Sequence, residues 1–309
     1  LRRWARGRIL SLPLSGIRDE RWGTAPKVAV VVLEGQIIDK QGDAGMVPWN
    51  SSLVAETVSA RLEALRNDPR VGAVVLRIQS PGGSVVGSER LRRAVEKLAK
   101  TKTVVASFAS TAASGGYMLA LPSHRIFAEP QGMVGSIGVF AMKASFGGLL
   151  DSFGIHAERV KTAPHAGALS PYSALDSLET SRLTEYVEDS HRKFDAEVMR
   201  ARRMDTAALR RVDGGRVFSG ARARALGLVD TLGGLEDAVR WTEARTGLRA
   251  DATPLWFDAK SGNWIHQQLT GAFAQGGIAG SALLEGWNLA TEPARAGIWS
   301  QAAWEPKWE

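Results

Sequence analysis

From Lys27 onward the chain alternates two kinds of apolar pattern. "KVAVVVLEGQI" (27–37) is a near-continuous apolar run ending at Gly35, the pattern of a strand buried on both faces. After a Gly/Asp/Pro loop, "NSSLVAETVSARLEALRND" spaces Leu53, Val54, Val58, Leu62 and Leu65 as one helix face, with Asn50, Ser51 and Ser52 as candidate caps. The cycle then repeats. A strand "VGAVVLRI" (71–78) leads through the turn "QSPGGSV" to a helix "SERLRRAVEKLAK", then a strand "TVVASF" (103–108), a helix from about Ser114 and a strand "RIFAEP". Strands alternating with helices of this length predict an α/β fold of βα units, with a mostly parallel sheet and right-handed crossovers. Ligands in such sheets sit at the carboxyl ends of the strands, where both glycine-rich stretches fall.

Downstream, a long amphipathic segment (177–203) sets Leu183, Tyr186, Val187, Phe194 and Val198 on one stripe. "VFSGARARALGLVDTLGGLEDAVRWTEARTG" reads as two short helices separated by Gly-rich turns. Beyond residue 250 neither period is sustained, and six of the ten tryptophans gather there, at 256, 264, 287, 299, 304 and 308. We divide the chain into a leader or linker (1–26), an α/β domain (27–249) and an irregular Trp-rich C-terminal arm (250–309). The arm packs on its own domain or a neighbour, or touches a membrane interface through tryptophan.

Composition narrows the chemistry. The 309 residues, 44% hydrophobic, suffice for a large core, and the absence of cysteine removes thiol catalysis, disulfides and Cys-ligated zinc. The net charge of +7 would suit an anionic partner, but the arginines alternate with Glu or apolar residues, as on solvated helix faces, and no base-reading motif accompanies them. No nucleic-acid partner is expected. No run approaches the ~20 apolar residues of a membrane span. The chain begins at Leu1 within a basic stretch, which suggests a processed product or a piece of a longer polypeptide.

Ser114, in "TAASGGYM", stands where a strand hands over to a helix, and reads either as an N-cap or as a nucleophile. Acyl transfer needs an exposed, fixed serine, a base, and N–H donors for the oxyanion. Gly115 and Gly116 let a substrate approach, and "SPGGS" (80–84) turns a second donor outward, so that Gly83 and Gly115 N–H could share one oxygen.

"RIQSPGGSV", "ASTAASGGYMLALPSHRIFAEPQGMVGSIGV" and "SGARARALGLVDTLGG", in that order, resemble the signal peptide peptidase A family over about residues 27–247. The resemblance implies a Clp protease/crotonase-like fold of repeated ββα units and a serine endopeptidase of the bacterial cell envelope, membrane-associated and facing the periplasm or exterior. It implies cleavage of remnant signal peptides or other hydrophobic extended peptides by a Ser-Lys dyad, with no metal or other cofactor. By position Ser114 is the nucleophile, Gly83 and Gly115 form the oxyanion hole, and Ser136 of "GSIGV" orients the lysine. A homo-oligomeric ring, or a lysine-bearing partner domain, is implied with it.

The chain departs from the family at the base. Where members carry V-G-x-Y-K, "FGIHAERVKTAPHAGALSP" puts Pro164 in the lysine position. Lys161 lies three residues earlier, an odd offset that points to the opposite face of an extended segment. Lys143 and His165 are the other in-chain candidates, and no acid at fixed spacing orients His165. His124, His156, His191 and His266 show no metal-ligand spacing. The pattern is similar to the serine-bearing C-terminal half of tandem-repeat members, in which another domain supplies the lysine. Two further readings stand beside the peptidase. One is a catalytically silent scaffold repeat. The other is a crotonase-type acyl-CoA enzyme, for which Glu89 is the available acid.

Overall fold

The computed structural model describes residues 26–41, 52–156, 158, 160–248 and 255–258. Strand β1 (Lys27–Glu34) breaks at Gly35, whose φ of 111° suits only glycine, and continues as β2 (Gln36–Ile38). β3 (Ser52–Val54) leads directly into α1 (Ala55–Asn67); β4 (Val71–Ser80), α2 (Val85–Ala99), β5 (Thr103–Ala113) and the single turn α3 (Gly115–Met118) follow. Then come β6 (Arg125–Ala128), β7 (Met133–Gly135), α4 (Gly147–Ser152), α5 (Ser177–Arg202) and α6 (Thr206–Leu209). β8 (Val217–Ser219), α7 (Gly220–Ala225), β9 (Thr231–Leu232), α8 (Leu235–Thr246) and β10 (Leu255–Asp258) complete the order.

The main sheet runs β10-β1-β4-β5-β6-β9 with every pair parallel, and β7 continues alongside the end of β5 while pairing antiparallel with β8. Alternate residues serve opposite faces. Ala29, Val31, Leu33, Val74, Leu76, Ile78, Val104, Ala106 and Phe108 join the larger core with Val58, Leu62 and Leu65 of α1 and Leu91, Val95 and Leu98 of α2. Val28, Val30, Ala73, Val75, Val105 and Phe127 face the other way, against Ala238, Leu235, Val239 and Trp241 of α8. The run at 27–37 is therefore buried on both sides, as its pattern predicts.

Local signals account for most element ends, and two expectations need correction. Ser84 accepts the Gly87 N–H at 3.2 Å and starts α2 at Val85, three residues before the predicted Ser88. α1 has no serine cap. Ser52 and Leu53 pair with Gln36 and Ile37, so the helix begins behind Val54, without a side-chain cap bond; Asn50 and Ser51 lie outside the described residues. α5 covers the predicted segment and opens with a capping box between Asp176 and Glu179. Only the C-terminal part of its stripe is buried: Phe194 and Val198 are inside, while Tyr186 is exposed. From β7 to α5 the chain leaves the core and exposes Phe140, Met142, Phe153, Val160 and Leu169. β10 falls within the predicted arm; the rest of 250–309, and the leader before Pro26, lie outside the described residues. No helix among the described residues is long and apolar enough to cross a membrane.

Candidate active site

β5, flanked by β4 and β6 and then by β7, delivers Ser114 at its carboxyl end. The serine is half-buried and holds φ 50°, ψ −121°, a conformation L-residues rarely adopt and one that costs about 1–3 kcal/mol. Its surroundings over-determine that geometry. The Ser114 N–H donates to the Gly135 carbonyl at 2.8 Å, and its own carbonyl accepts from Tyr117 N–H at 3.0 Å and Met118 N–H at 2.9 Å. Tyr117 is fully buried, packs edge-on to Phe108 and donates its hydroxyl to the Leu228 carbonyl at 2.9 Å. Burial pushes its phenol pKa up, so it stays a neutral anchor. Ser114 does stand at the N-cap position of α3, but its hydroxyl makes no capping bond and has no hydrogen-bond partner among the described residues; α3 is one turn rather than a long apolar helix. A serine on a strained strand-to-helix turn has the backbone geometry of a nucleophile elbow.

The "SPGGS" turn closes over this elbow. Gly82 (φ 97°) is buried and donates to Ser80 Oγ at 3.2 Å; Gly83 (φ 146°) is exposed. Ile37 forms a parallel bridge with Gly83, its N–H donating to the Gly82 carbonyl and its carbonyl accepting from Ser84 N–H, both at 2.8 Å. In such a bridge the polar groups of Gly83 itself face away from Ile37. Neither Gly83 N–H nor Gly115 N–H donates to an acceptor among the described residues. The two motifs touch: a β-carbon at Gly82 would stand 2.8 Å from both Gly115 N and Ser114 Cβ. A β-carbon at Gly115 would stand 2.0 Å from Ser88 Oγ, and one at Gly116 2.7 Å from the Ser80 carbonyl oxygen. Ser88, which the sequence reading passed over, is fixed by donating to the Ser84 carbonyl at 2.7 Å. The i, i+4 serine pair starting α2 was the available signal.

Ser136 is half-buried, follows the Gly135 that receives Ser114 N–H, and sits at φ 51° with its own N–H on the Arg216 carbonyl at 2.7 Å. Ser114 and Ser136 thus end two paired strands. The three in-chain base candidates have other partners. Lys143 Nζ donates to the Ser173 carbonyl, and exposed Lys161 to the Pro164 carbonyl at 3.2 Å. His165 does have acids beside it, Asp176 and Glu179, each at 3.3 Å, at the start of α5. None of the three hydrogen-bonds Ser114 or Ser136. Burial raises the Glu89 pKa, but bonds from Arg92 and Arg93 outweigh it, and the net shift is downward. Glu89 is thereby an ion-pair partner of Arg92 (2.7 Å) and Arg93 (2.6 Å), held in its charged form.

Ser114, its hydroxyl without a partner among the described residues, thus sits on a strained turn at the carboxyl edge of a parallel sheet, close to two backbone N–H groups that also lack an acceptor there. The profile of Peptidase family S49 matches residues 96–249. Protease 4 of Salmonella typhi is 35% identical over 217 residues, 70% of this chain and 34% of that protein. A putative protease of Methanocaldococcus jannaschii is 33% identical over 237 residues, 76% of this chain and 75% of that one. A ClpP1 mutant structure from Listeria monocytogenes overlays with TM-score 0.45 at 14% identity, covering 68% of this chain and 94% of that one. The chain belongs to peptidase family S49. It spans about a third of the length of the Protease 4 relative.

Proposed function

We propose that the chain is the serine-bearing part of an endopeptidase that cleaves hydrophobic, extended peptides, remnant signal peptides among them. The observation that carries this reading is the packing of Gly82 on Ser114 and Gly115, which sets the glycine turn directly against the serine. Ser114 Oγ attacks the scissile carbonyl while its proton passes to a neutral lysine from another domain or chain. The tetrahedral oxyanion is held by Gly83 and Gly115 N–H. The same lysine, now charged, protonates the leaving amine, and water then hydrolyses the acyl-enzyme with the lysine again as base. The side of Gly83 opposite Ile37 receives the substrate as an added strand. Ser136 orients the incoming ammonium. The family resemblance supports a cell-envelope location facing the periplasm or exterior, contact with the membrane surface, and a ring or a lysine-bearing partner domain.

A fluorophosphonate probe on the natural assembly tests the nucleophile: the parent labels, Ser114→Ala does not, and equal labelling of both overturns the assignment. A scaffold role is the second reading, favoured by the engagement of Lys143, Lys161 and His165 elsewhere. Peptide hydrolysis by the isolated chain excludes it, and activity restored by a lysine-bearing domain supports the split site. The acyl-CoA reading lacks its acid, since Glu89 is tied to two arginines.

A further inference from the structure

The hydrogen bonds that hold Ser136 lead to a second cluster. The Arg216 carbonyl accepts from Ser136 N–H, and the Ile137 carbonyl accepts from Gly215 N–H at 2.8 Å, so residues 213–216 hold the Ser136 segment in place. Asp213 opens this turn. His191 and Asp195, four residues apart on α5, lie on one side of that helix. One ligand atom from each of His191, Asp195 and Asp213 lies within 4.8 Å of the other two. The spacing that escaped the sequence reading is His-x-x-x-Asp, completed by a residue from another element.

Two of these atoms are unsatisfied. These two atoms, His191 Nε2 and Asp195 Oδ1 on partly buried side chains, are shielded from solvent and make no hydrogen bond among the described residues; they stand 3.5 Å apart, an ion pair only when the imidazole is protonated. Buried polar atoms are almost always partnered, so a facing pair of this kind asks for a third body. A zinc ion about 2.0–2.2 Å from nitrogen and oxygen donors sets them about 3.3 Å apart in a tetrahedral shell. Arg216 does not fill the role: it reaches an Asp213 oxygen only at 3.8 Å, and its hydrogen bonds go to the Asp213 and Arg210 carbonyls. The other converging group, His165 with Asp176 and Glu179, differs in kind. Its carboxylates already accept backbone N–H groups in the α5 capping box, and its histidine is exposed.

We propose that His191, Asp195 and Asp213 bind one divalent transition-metal ion, best matched by zinc, which fastens α5 to the turn that holds Ser136. One imidazole and two carboxylates suit such an ion, from three side chains of intermediate burial. The ion takes no part in peptide cleavage; it sets the position of a segment that the peptidase site uses.

Calorimetric titration of zinc into the chelator-treated full chain is the test, with Asp195→Asn, Asp213→Asn and His165→Gln compared. One ion per chain is expected, weakened about tenfold or more by each aspartate change and untouched by the His165 change. Zinc should raise the Tm of the parent and leave that of Asp213→Asn where it is. Cobalt(II) in the same site should give a visible absorption band that Asp195→Asn abolishes. Circular dichroism confirms that each variant is folded, and Asp213→Asn, in a surface turn, serves alone if Asp195→Asn unfolds. Absence of saturable binding by the folded parent overturns the proposal. So does binding that survives both aspartate substitutions, or that disappears with His165 instead.

Discussion

Replacing Gly82 by alanine asks whether the glycine turn is wedged against the serine elbow. The new β-carbon would meet Gly115 N and Ser114 Cβ at 2.8 Å and the Ala113 carbonyl oxygen at 3.0 Å. All three are backbone atoms or are fixed directly to it, so none can swing aside. Two costs add: alanine at φ 97° is strained by about 1–3 kcal/mol, and overpacking a filled site costs about 1–3 kcal/mol more. The sum is about 2–6 kcal/mol. Gly247 separates the two contributions, because it has φ 71° and nothing within 4 Å of its missing β-carbon. Gly247→Ala should therefore cost only the conformational part, about 1–2 kcal/mol.

Denaturant unfolding of both variants, at equal m, gives the comparison from the midpoints. Gly82→Ala should be the less stable by about 1 kcal/mol or more, and its Ser114 should label with fluorophosphonate more slowly than that of Gly247→Ala. Equal midpoint shifts would refute the packing argument. A folded Gly82→Ala that labels at the parental rate would refute the convergence of the two motifs.

Ser114→Gly should unfold at higher denaturant than Ser114→Ala, by about 1–3 kcal/mol, since only glycine relaxes at φ 50°; equal midpoints would remove the strain from the account. Changing Arg92, whose side chain is only 6% exposed among Glu89, Glu96 and Glu197, to Leu should cost about 2–3 kcal/mol at pH 7, since it removes the arginine the three carboxylates share and leaves Glu89 to Arg93 and Glu96 and Glu197 to Arg200. The sign with pH follows from Glu89, whose folded pKa is depressed: its contribution is present above the unfolded value and is lost as pH falls through the folded one. Thermal scans of Arg92→Leu and parent should therefore keep their gap from pH 7 down to the unfolded glutamate value of 4.5 and converge only below it; a gap unchanged below that value would contradict the ion-pair account.

Periodicity carried the large features because long elements bury whole faces. The two-sided run at 27–37, the α5 segment and the βα alternation were all legible. Short strands were not. Three residues at Met133–Gly135 and two at Thr231–Leu232 carry no period of their own, and exist because β5 and β6 present them with open edges. Ser52 shows the same override: it looked like a cap, but β2 claims it first. The site was readable as residue types, serine and paired glycines at strand ends. Its decisive property was hidden, because the reversed backbone of Ser114 is held by Gly135 and, through Tyr117, by Leu228, from two other parts of the chain. The split of His191 and Asp195 from Asp213 was out of reach for a related reason, since half of each pairing lies on another element.

β5 has ladder partners on both sides and, apart from Ser110, side chains turned away from solvent on both faces, whereas Gly83 is an exposed residue joined by a single bridge to β2, a strand outside the main sheet. In time rather than distance, the two halves of the site keep different clocks. Amides of β5 exchange with solvent only when much of the domain opens, while those of the Gly82–Ser84 turn need only a local release. On the proposed function, Ser114 is mounted on the slow part and the Gly83 donor on the fast part. What would fluctuate is then the width of the proposed oxyanion hole, and a peptide strand laid along Gly83 would narrow that fluctuation as it binds.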